Sequence, residues 1–295
     1  MGTDNTWKSA FELAAIVKRG DVSPVELVED SLQRIDRLNS QLNAFLHVDA
    51  DGALKAARDA EGAVAAGDTL GPLHGVPVPI KDVEEAEGLP HTSGSLVYKD
   101  RIATFDSIAT RRIRAAGAII IGKTNTSEFG QIGTNENRLG DACRNPWNPE
   151  MTSGASSGGA AVSVATGISS IAQGGDGGGS IRIPAGMCGI YGIKPSQGRV
   201  PKLMMDTSSY HPVKFAQSGP LTRTVQDAAL LLGVLSGPAE DGERDAIQTA
   251  PPDFMAALDY DIKGLRVAWS PDLGGVAVDP EAMKLTDTAA KTFED

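Results

Sequence analysis

Residues 151–186 read MTSGASSGGAAVSVATGISSIAQGGDGGGSIRIPAG. Two Ser-Gly clusters, Gly154-Ala155-Ser156-Ser157-Gly158-Gly159 and Gly174-Gly175-Asp176-Gly177-Gly178-Gly179-Ser180, enclose a run of small residues. Glycine loses more backbone entropy on folding than any other residue, so clustered glycine marks backbone that takes unusual φ or approaches something closely. Consecutive N–H groups leading into a serine can converge on one point, which is what a developing oxyanion requires. A flexible Gly/Ser linker has a similar composition, but Ile181-Arg182-Ile183-Pro184 follows at once and ends it. Between the clusters the pattern predicts a small-residue helix over residues 157–166, stopped by Gly167, then a strand over 168–172.

Outward from this stretch, helices and strands alternate. Residues 9–19 form an amphipathic pattern ended by Gly20, and Ser23-Pro24-Val25-Glu26 is a capping box with proline in the first turn. A strand is expected over 44–48 and an Ala-rich helix over 51–66. In GPLHGVPVPIK (71–81), Val76, Val78 and Ile80 alternate with prolines, so an extended, edge-like segment delivers Lys81 to its end. AAGAIIIG (115–122) joins a helix over 107–116 to an apolar strand over 118–121. Such α-to-β junctions build parallel sheets. A helix over 224–235, a strand over 265–269 and a helix from Asp279 complete the pattern. The fold class is therefore α/β, with a mixed or mostly parallel sheet.

Composition narrows the functional classes. Net charge is −11 and no Lys/Arg cluster occurs, which argues against binding nucleic acid or an anionic membrane. No apolar run approaches a spanning helix, and the N-terminus lacks a secretory pattern. With two cysteines, Cys143 and Cys188, no disulfide or metal framework is read, and a cytoplasmic location is the default. No His/Cys/Asp/Glu group has metal-ligand spacing, so neither metal nor cofactor is expected.

Serine needs a base to act as a nucleophile. Gly154-x-Ser156-x-Gly158 matches the nucleophile elbow in text, but the preceding Asn145-Pro146-Trp147-Asn148-Pro149 cannot be the strand an elbow requires. That reading would also need His211 as base, with Asp206 a candidate acid. A neutral lysine is the alternative base, provided burial holds it well below its free pKa of ~10.4.

At this point the chain resembles the amidase signature family. GVPVPIKD (75–82) is similar to that family's lysine motif, Gly154–Gly159 to its Gly-Gly-Ser-Ser-Gly-Gly motif, and Gly175–Ala185 to its Gly-Ser-Asp-Thr-Gly-Gly-Ser-Ile-Arg-x-Pro-Ala motif. The spacings, 75 residues from Lys81 to Ser156 and 24 from Ser156 to Ser180, agree. Gly122–Asn125, Gly189–Arg199 and Ser218–Leu221 add support, and the resemblance runs over roughly residues 9–280.

The resemblance implies a central mixed, mostly parallel β-sheet flanked by helices on both faces. It also implies a Ser-cisSer-Lys triad: Ser180 as nucleophile, Ser156 as bridge and Lys81 as base. The N–H groups of Gly177, Gly178, Gly179 and Ser180 would form the oxyanion hole, with Asp176, Arg182 and Ser157 supporting and Asp82 positioning. Asn125, Thr126, Phe129, Met151 and Met204 are pocket candidates for which core packing is the expected role.

The sequence departs from the family pattern at Ala155, Ala160, Gly177 and Ser196, and none of these removes a catalytic group. Family members carry a further C-terminal part, so a fragment is expected. It would be a single domain with an N-terminal helical region (1–68), a catalytic core (69–240) and the start of the C-terminal part (241–295).

The implied activity is hydrolysis of a carboxylic acid amide through an acyl-enzyme. The expected partner is a small-molecule amide, and a homodimer is the assembly to test for. One alternative is the glutaminase subunit of glutamyl-tRNA(Gln) amidotransferase, which usually has Gln where this chain has Ile183. Another is a non-catalytic scaffold or inactive fragment of the same fold, against which the joint presence of Lys81, Ser156 and Ser180 argues.

Overall fold

Serine and threonine caps set four of the helix starts in the computed structural model, which describes residues 5–202, 215–239 and 246–294. Helix α1 (Ala10–Lys18) is capped by Ser9, and α2 (Pro24–Leu42) starts at the Ser23–Glu26 capping box. Strand β1 (Phe45–Val48) leads into α3 (Ala50–Ala66), which ends at Gly67 with φ +73°. Strand β2 (Pro77–Lys81), α4 (Ile108–Ala115) and β3 (Ile119–Thr124) follow, with Ser107 capping α4. Next come α5 (Gly158–Ala165), β4 (Ile171–Asp176), α6 (Arg182–Cys188) and the two-residue β5 (Tyr191–Gly192). Strand β6 (Gln217–Thr222) and α7 (Val225–Leu235), capped by Thr224, complete the larger of two units, which extends to Leu258.

The class is α/β with a mixed sheet, as expected. Among the described residues parallel pairing is confined to β2–β3, whereas β1–β3, β4–β6 and β5–β6 are antiparallel. The ladders run β1-β3-β2 and β4-β6-β5. Strand β2 ends its own ladder, as its prolines dictate, yet it is buried throughout because β4 lies against it. Lys81 donates its backbone N–H to Gln173 Oε1 (3.0 Å), so a side chain joins two ladders between which no backbone pairing occurs among the described residues.

Helices α1, α4 and α7 pack Leu13, Ile113 and Leu231 with Val78 and Ile80 of β2. Helices α2 and α3 pack Val28, Ile35 and Ala57 with Ile119 and Ile121 of β3. Helix α5 is small-residued because its backbone lies close to its neighbours. A Cβ on Gly159 would stand 2.2 Å from Ala44 O and 2.4 Å from the Asn125 nitrogen.

Two strand expectations need correction. The strand after α5 spans 171–176 rather than 168–172, so Gly174 and Gly175 belong to the sheet. Residues 265–269 form no strand, since no chain among the described residues pairs with them. They fall in the second unit, Asp259–Asp295, which contains α8 (Pro280–Ala290), capped by Asp279, and a following 3-10 turn (Lys291–Phe293). Within that unit Trp269 Nε1 donates to Asp287 Oδ1 (2.6 Å). No helix among the described residues is long and apolar enough to cross a membrane.

Candidate active site

Strand β2 ends at Lys81, which is only 2 % exposed. Its Nζ donates to Ser156 Oγ (2.6 Å) and to the carbonyl of Gly175 (3.2 Å). Burial disfavours the ammonium and lowers its pKa from the ordinary lysine value to about 7, although Glu84 and Asp176 favour the charged form; Lys202 adds to the lowering. Ser156 follows a cis Ala155–Ser156 peptide and is itself buried. Gly130, at φ +69°, passes so close that a Cβ there would lie 3.1 Å from Ser156 Oγ.

Ser157 links the two Gly-rich segments. Its hydroxyl donates to Gly175 O and accepts from Gly175 N, both at 3.1 Å, and its own N–H donates to Ser180 O at 3.1 Å. The first Ser-Gly cluster is thereby hydrogen-bonded both to the end of β4 and to the turn that follows it.

Asp176 ends β4 with a wholly buried side chain. Its carboxylate accepts from the backbone N–H of Gly179 (2.7 Å) and Ile181 (3.2 Å) and forms a two-point ion pair with Arg182. Burial works to raise its pKa, but the bonds from Arg182, Gly179 and Ile181 outweigh burial and hold it at about 2. The expected Asp176–Arg182 pair is present, with its cationic half largely in solvent.

Ser180 is half-buried, and its hydroxyl makes no hydrogen bond among the described residues. Gly177 and Gly178 are exposed. The N–H groups of Gly178 and Ser180 likewise have no acceptor there. Gly179 differs from the oxyanion-hole expectation because Asp176 already takes its N–H.

Four further polar residues have contacts at the site that the sequence alone does not show. Gln173 anchors the backbone of Lys81. Lys123, fully buried on β3, pairs with Asp82 (3.3 Å) and donates to Glu84 O (2.8 Å) and Pro90 O (2.9 Å). Burial lowers the Lys123 pKa, against the opposing effect of Asp82. Glu84 accepts a hydrogen bond from Ser218 Oγ. Motif position points to Lys123 and Ser218, but nothing local in the sequence shows that they are buried.

Among the pocket candidates, Asn125 and Thr126 are buried, and Asn125 Nδ2 donates to Asn43 O (2.8 Å). Phe129 and Met151 are exposed rather than packed in the core. Met204, Asp206 and His211 lie outside the described residues.

This arrangement carries a desolvated amine against a serine hydroxyl, beside a Gly-rich turn that presents a second serine. The chain belongs to the amidase signature family: the amidase family profile matches residues 26–295. It is 41 % identical to an acylamidase of Rhodococcus erythropolis over 98 % of this chain and 60 % of that protein. It is 39 % identical to a glutamyl-tRNA(Gln) amidotransferase subunit of Thermobifida fusca, over 97 % of this chain and 57 % of that protein. Among solved structures, a bacterial aryl acylamidase of the amidase signature enzymes superposes with a TM-score of 0.92 at 36 % identity, covering 98 % of this chain and 59 % of its own. A 6-aminohexanoate cyclic dimer hydrolase complexed with substrate superposes at 0.87, with 33 % identity over 97 % of this chain and 58 % of that chain. The chain spans about three-fifths of the length of such relatives.

Proposed function

We propose that the protein is an amidase that hydrolyses a carboxylic acid amide to an acid and ammonia or an amine. The observation that carries the reading is the buried Lys81 Nζ, 2.6 Å from Ser156 Oγ. A lysine whose pKa is lowered to about 7 is neutral often enough at neutral pH to accept a proton.

In this reading Ser180 Oγ turns toward Ser156 and attacks the amide carbonyl. Its proton passes to Ser156 as the Ser156 proton passes to Lys81. The carbonyl oxygen becomes an oxyanion met by the N–H groups of Gly178 and Ser180, with Gly177 adjoining, while Gly179 stays bound to Asp176. Collapse breaks the C–N bond, and Lys81 returns the proton through Ser156 to the leaving nitrogen. Water, deprotonated by the same relay, then hydrolyses the Ser180 ester.

Similarity to an acylamidase and an aryl acylamidase favours an acylated amine as substrate. The net charge of −11 supports a reading without a nucleic-acid partner, and the free thiols of Cys143 and Cys188 support a reducing, cytoplasmic compartment. Light scattering tests for the homodimer.

The test is labelling with a serine-directed fluorophosphonate, with fragmentation to locate the adduct. An adduct on Ser180 that is lost in Lys81→Ala supports the relay, and equal labelling of that variant rejects it. His211→Ala retains labelling here and would lose it if Ser156 were an elbow nucleophile.

The glutaminase component of the amidotransferase is a second reading, favoured by the 39 % identity. Ile183, exposed in the first turn of α6, is where that component usually has Gln. Glutamine turnover to glutamate and ammonia distinguishes the two readings.

A further inference from the structure

Glu84 sits three residues beyond Lys81, in the turn that follows β2, with its N–H bonded to the Lys81 carbonyl (3.0 Å). It is buried, and its carboxylate is held by the Ser218 hydroxyl. Ser218 is the residue directly opposite Gly175 in the antiparallel β4–β6 ladder. Directly opposed residues point to the same face of a sheet, with Cβ positions about 5 Å apart. The Cβ position of Gly175 faces Lys81, 4.0 Å from Nζ. Ser218 therefore projects toward the lysine, and the carboxylate it holds lies on the lysine's side of the sheet. Lys123 holds the same turn through the Glu84 carbonyl (2.8 Å).

We propose that Glu84 is a positioning residue for amide hydrolysis: its Ser218-held carboxylate is the buried counter-charge that sets how tightly Lys81 holds its proton. The proposal rests on the reading of Lys81 as the base. It gives a role to a carboxylate that the relay itself does not use.

The other charged groups near Lys81 are largely engaged. Asp176 is shared with a largely exposed Arg182 and favours the charged form of Lys81 less than Glu84 does, and Asp82 is paired with Lys123. Glu85 lies 3.7 Å from His91, whose pKa burial lowers to about 4, so the ring offers it no cation near neutral pH. Lys202 opposes Glu84 by disfavouring a charged Lys81. A carboxylate in a water-poor site acts at longer range than one in solvent. It retains the lysine proton after transfer from Ser156, when the proton must wait for the leaving nitrogen.

The sign follows directly. The relay starts from neutral Lys81, so activity falls on the acid side as Lys81 becomes protonated. Removing a negative neighbour lowers the lysine pKa. The acid limb of Ser180 fluorophosphonate labelling against pH is expected to move down by about one unit in Glu84→Gln. Glu84→Asp is expected to restore it in large part, and Ser218→Ala to move it in the same direction as Glu84→Gln by a smaller amount.

Rates across pH 5–9, with melting temperature followed in parallel, decide the matter. Acid limbs of Glu84→Gln and Ser218→Ala that coincide with the parent's would overturn the proposal, even with stability altered. Should Glu84→Gln not fold, an unmoved limb in Ser218→Ala would overturn it alone. Lys81→Ala controls the underlying reading separately: labelling equal to the parent's rejects the base role itself.

Discussion

Asp176 and Arg182 meet at two points, Oδ2 with Nε at 2.9 Å and Oδ1 with Nη2 at 3.0 Å, across the turn that carries Ser180. The Arg182 side chain is 56 % exposed, so solvent screens its charge and the ion pair alone contributes little. The buried N–H bonds of Gly179 and Ile181 to the same carboxylate are what hold the turn.

Asp176→Asn keeps the shape but turns one acceptor oxygen into a donor. Misplacing Ser180 by about 1 Å is expected to cut its labelling rate by ~100-fold, with Arg182→Lys losing much less. The carboxyl pKa is lowered on folding, so Asp176 contributes stability above its ordinary value of 3.8 and loses it as pH falls through about 2. Acid denaturation of Asp176→Asn is therefore expected to be flatter than the parent's over that interval.

Lys81 titrates with the opposite consequence. Its pKa falls from 10.5 to about 7 on folding, so carrying it costs no proton-linked stability above 10.5. The cost grows as pH falls and is complete below about 7. Lys81→Met should abolish labelling, and its stability relative to the parent should rise steadily from pH 10 to pH 7 in urea titrations.

The Asp82–Lys123 pair is wholly enclosed, and removing one partner strands the other. Lys123→Met is expected to destabilise the fold by about 3–5 kcal/mol, the usual cost of an unpaired buried charge. Combining it with Asp82→Asn should recover part of that loss. Denaturant midpoints of the two variants check the order.

Two glycines separate packing from chemistry. Gly159→Ala drives a methyl into the Ala44 carbonyl and the Asn125 backbone, and an overpacking loss of at least about 1–3 kcal/mol is expected by thermal melting. Gly130→Ala crowds Ser156 Oγ from a left-handed backbone position. There the expected result is a larger loss in Ser180 labelling than in melting temperature.

Helix starts set by local caps are legible in the sequence, whereas strands depend on partners and residues 265–269, read as one, have none among the described residues. Ser23 with Glu26, Ser107 and Thr224 are caps, and each helix begins where its cap places it. Gly174 and Gly175 read as turn residues, yet β6 pairs with them and leaves their backbone in the sheet. Gly219 and Pro220 disguise β6 in the same way, and Pro184 disguises α6. Lys81 and the serines are recognisable through motif and spacing. Glu84, Gln173 and Ser218 gain meaning only from long-range burial, which one-dimensional polarity does not encode. The direction of the Gly179 N–H is likewise a property of the folded turn, and motif position does not reveal it.

The side-chain stitch from Gln173 to the Lys81 backbone means that Lys81 and the turn carrying Ser180 hang from different ladders meeting at a seam. A seam can slip while both fabrics stay whole. Labelling of Ser180 should therefore fail in mild urea before circular dichroism changes, and loss of both signals at one midpoint would contradict this.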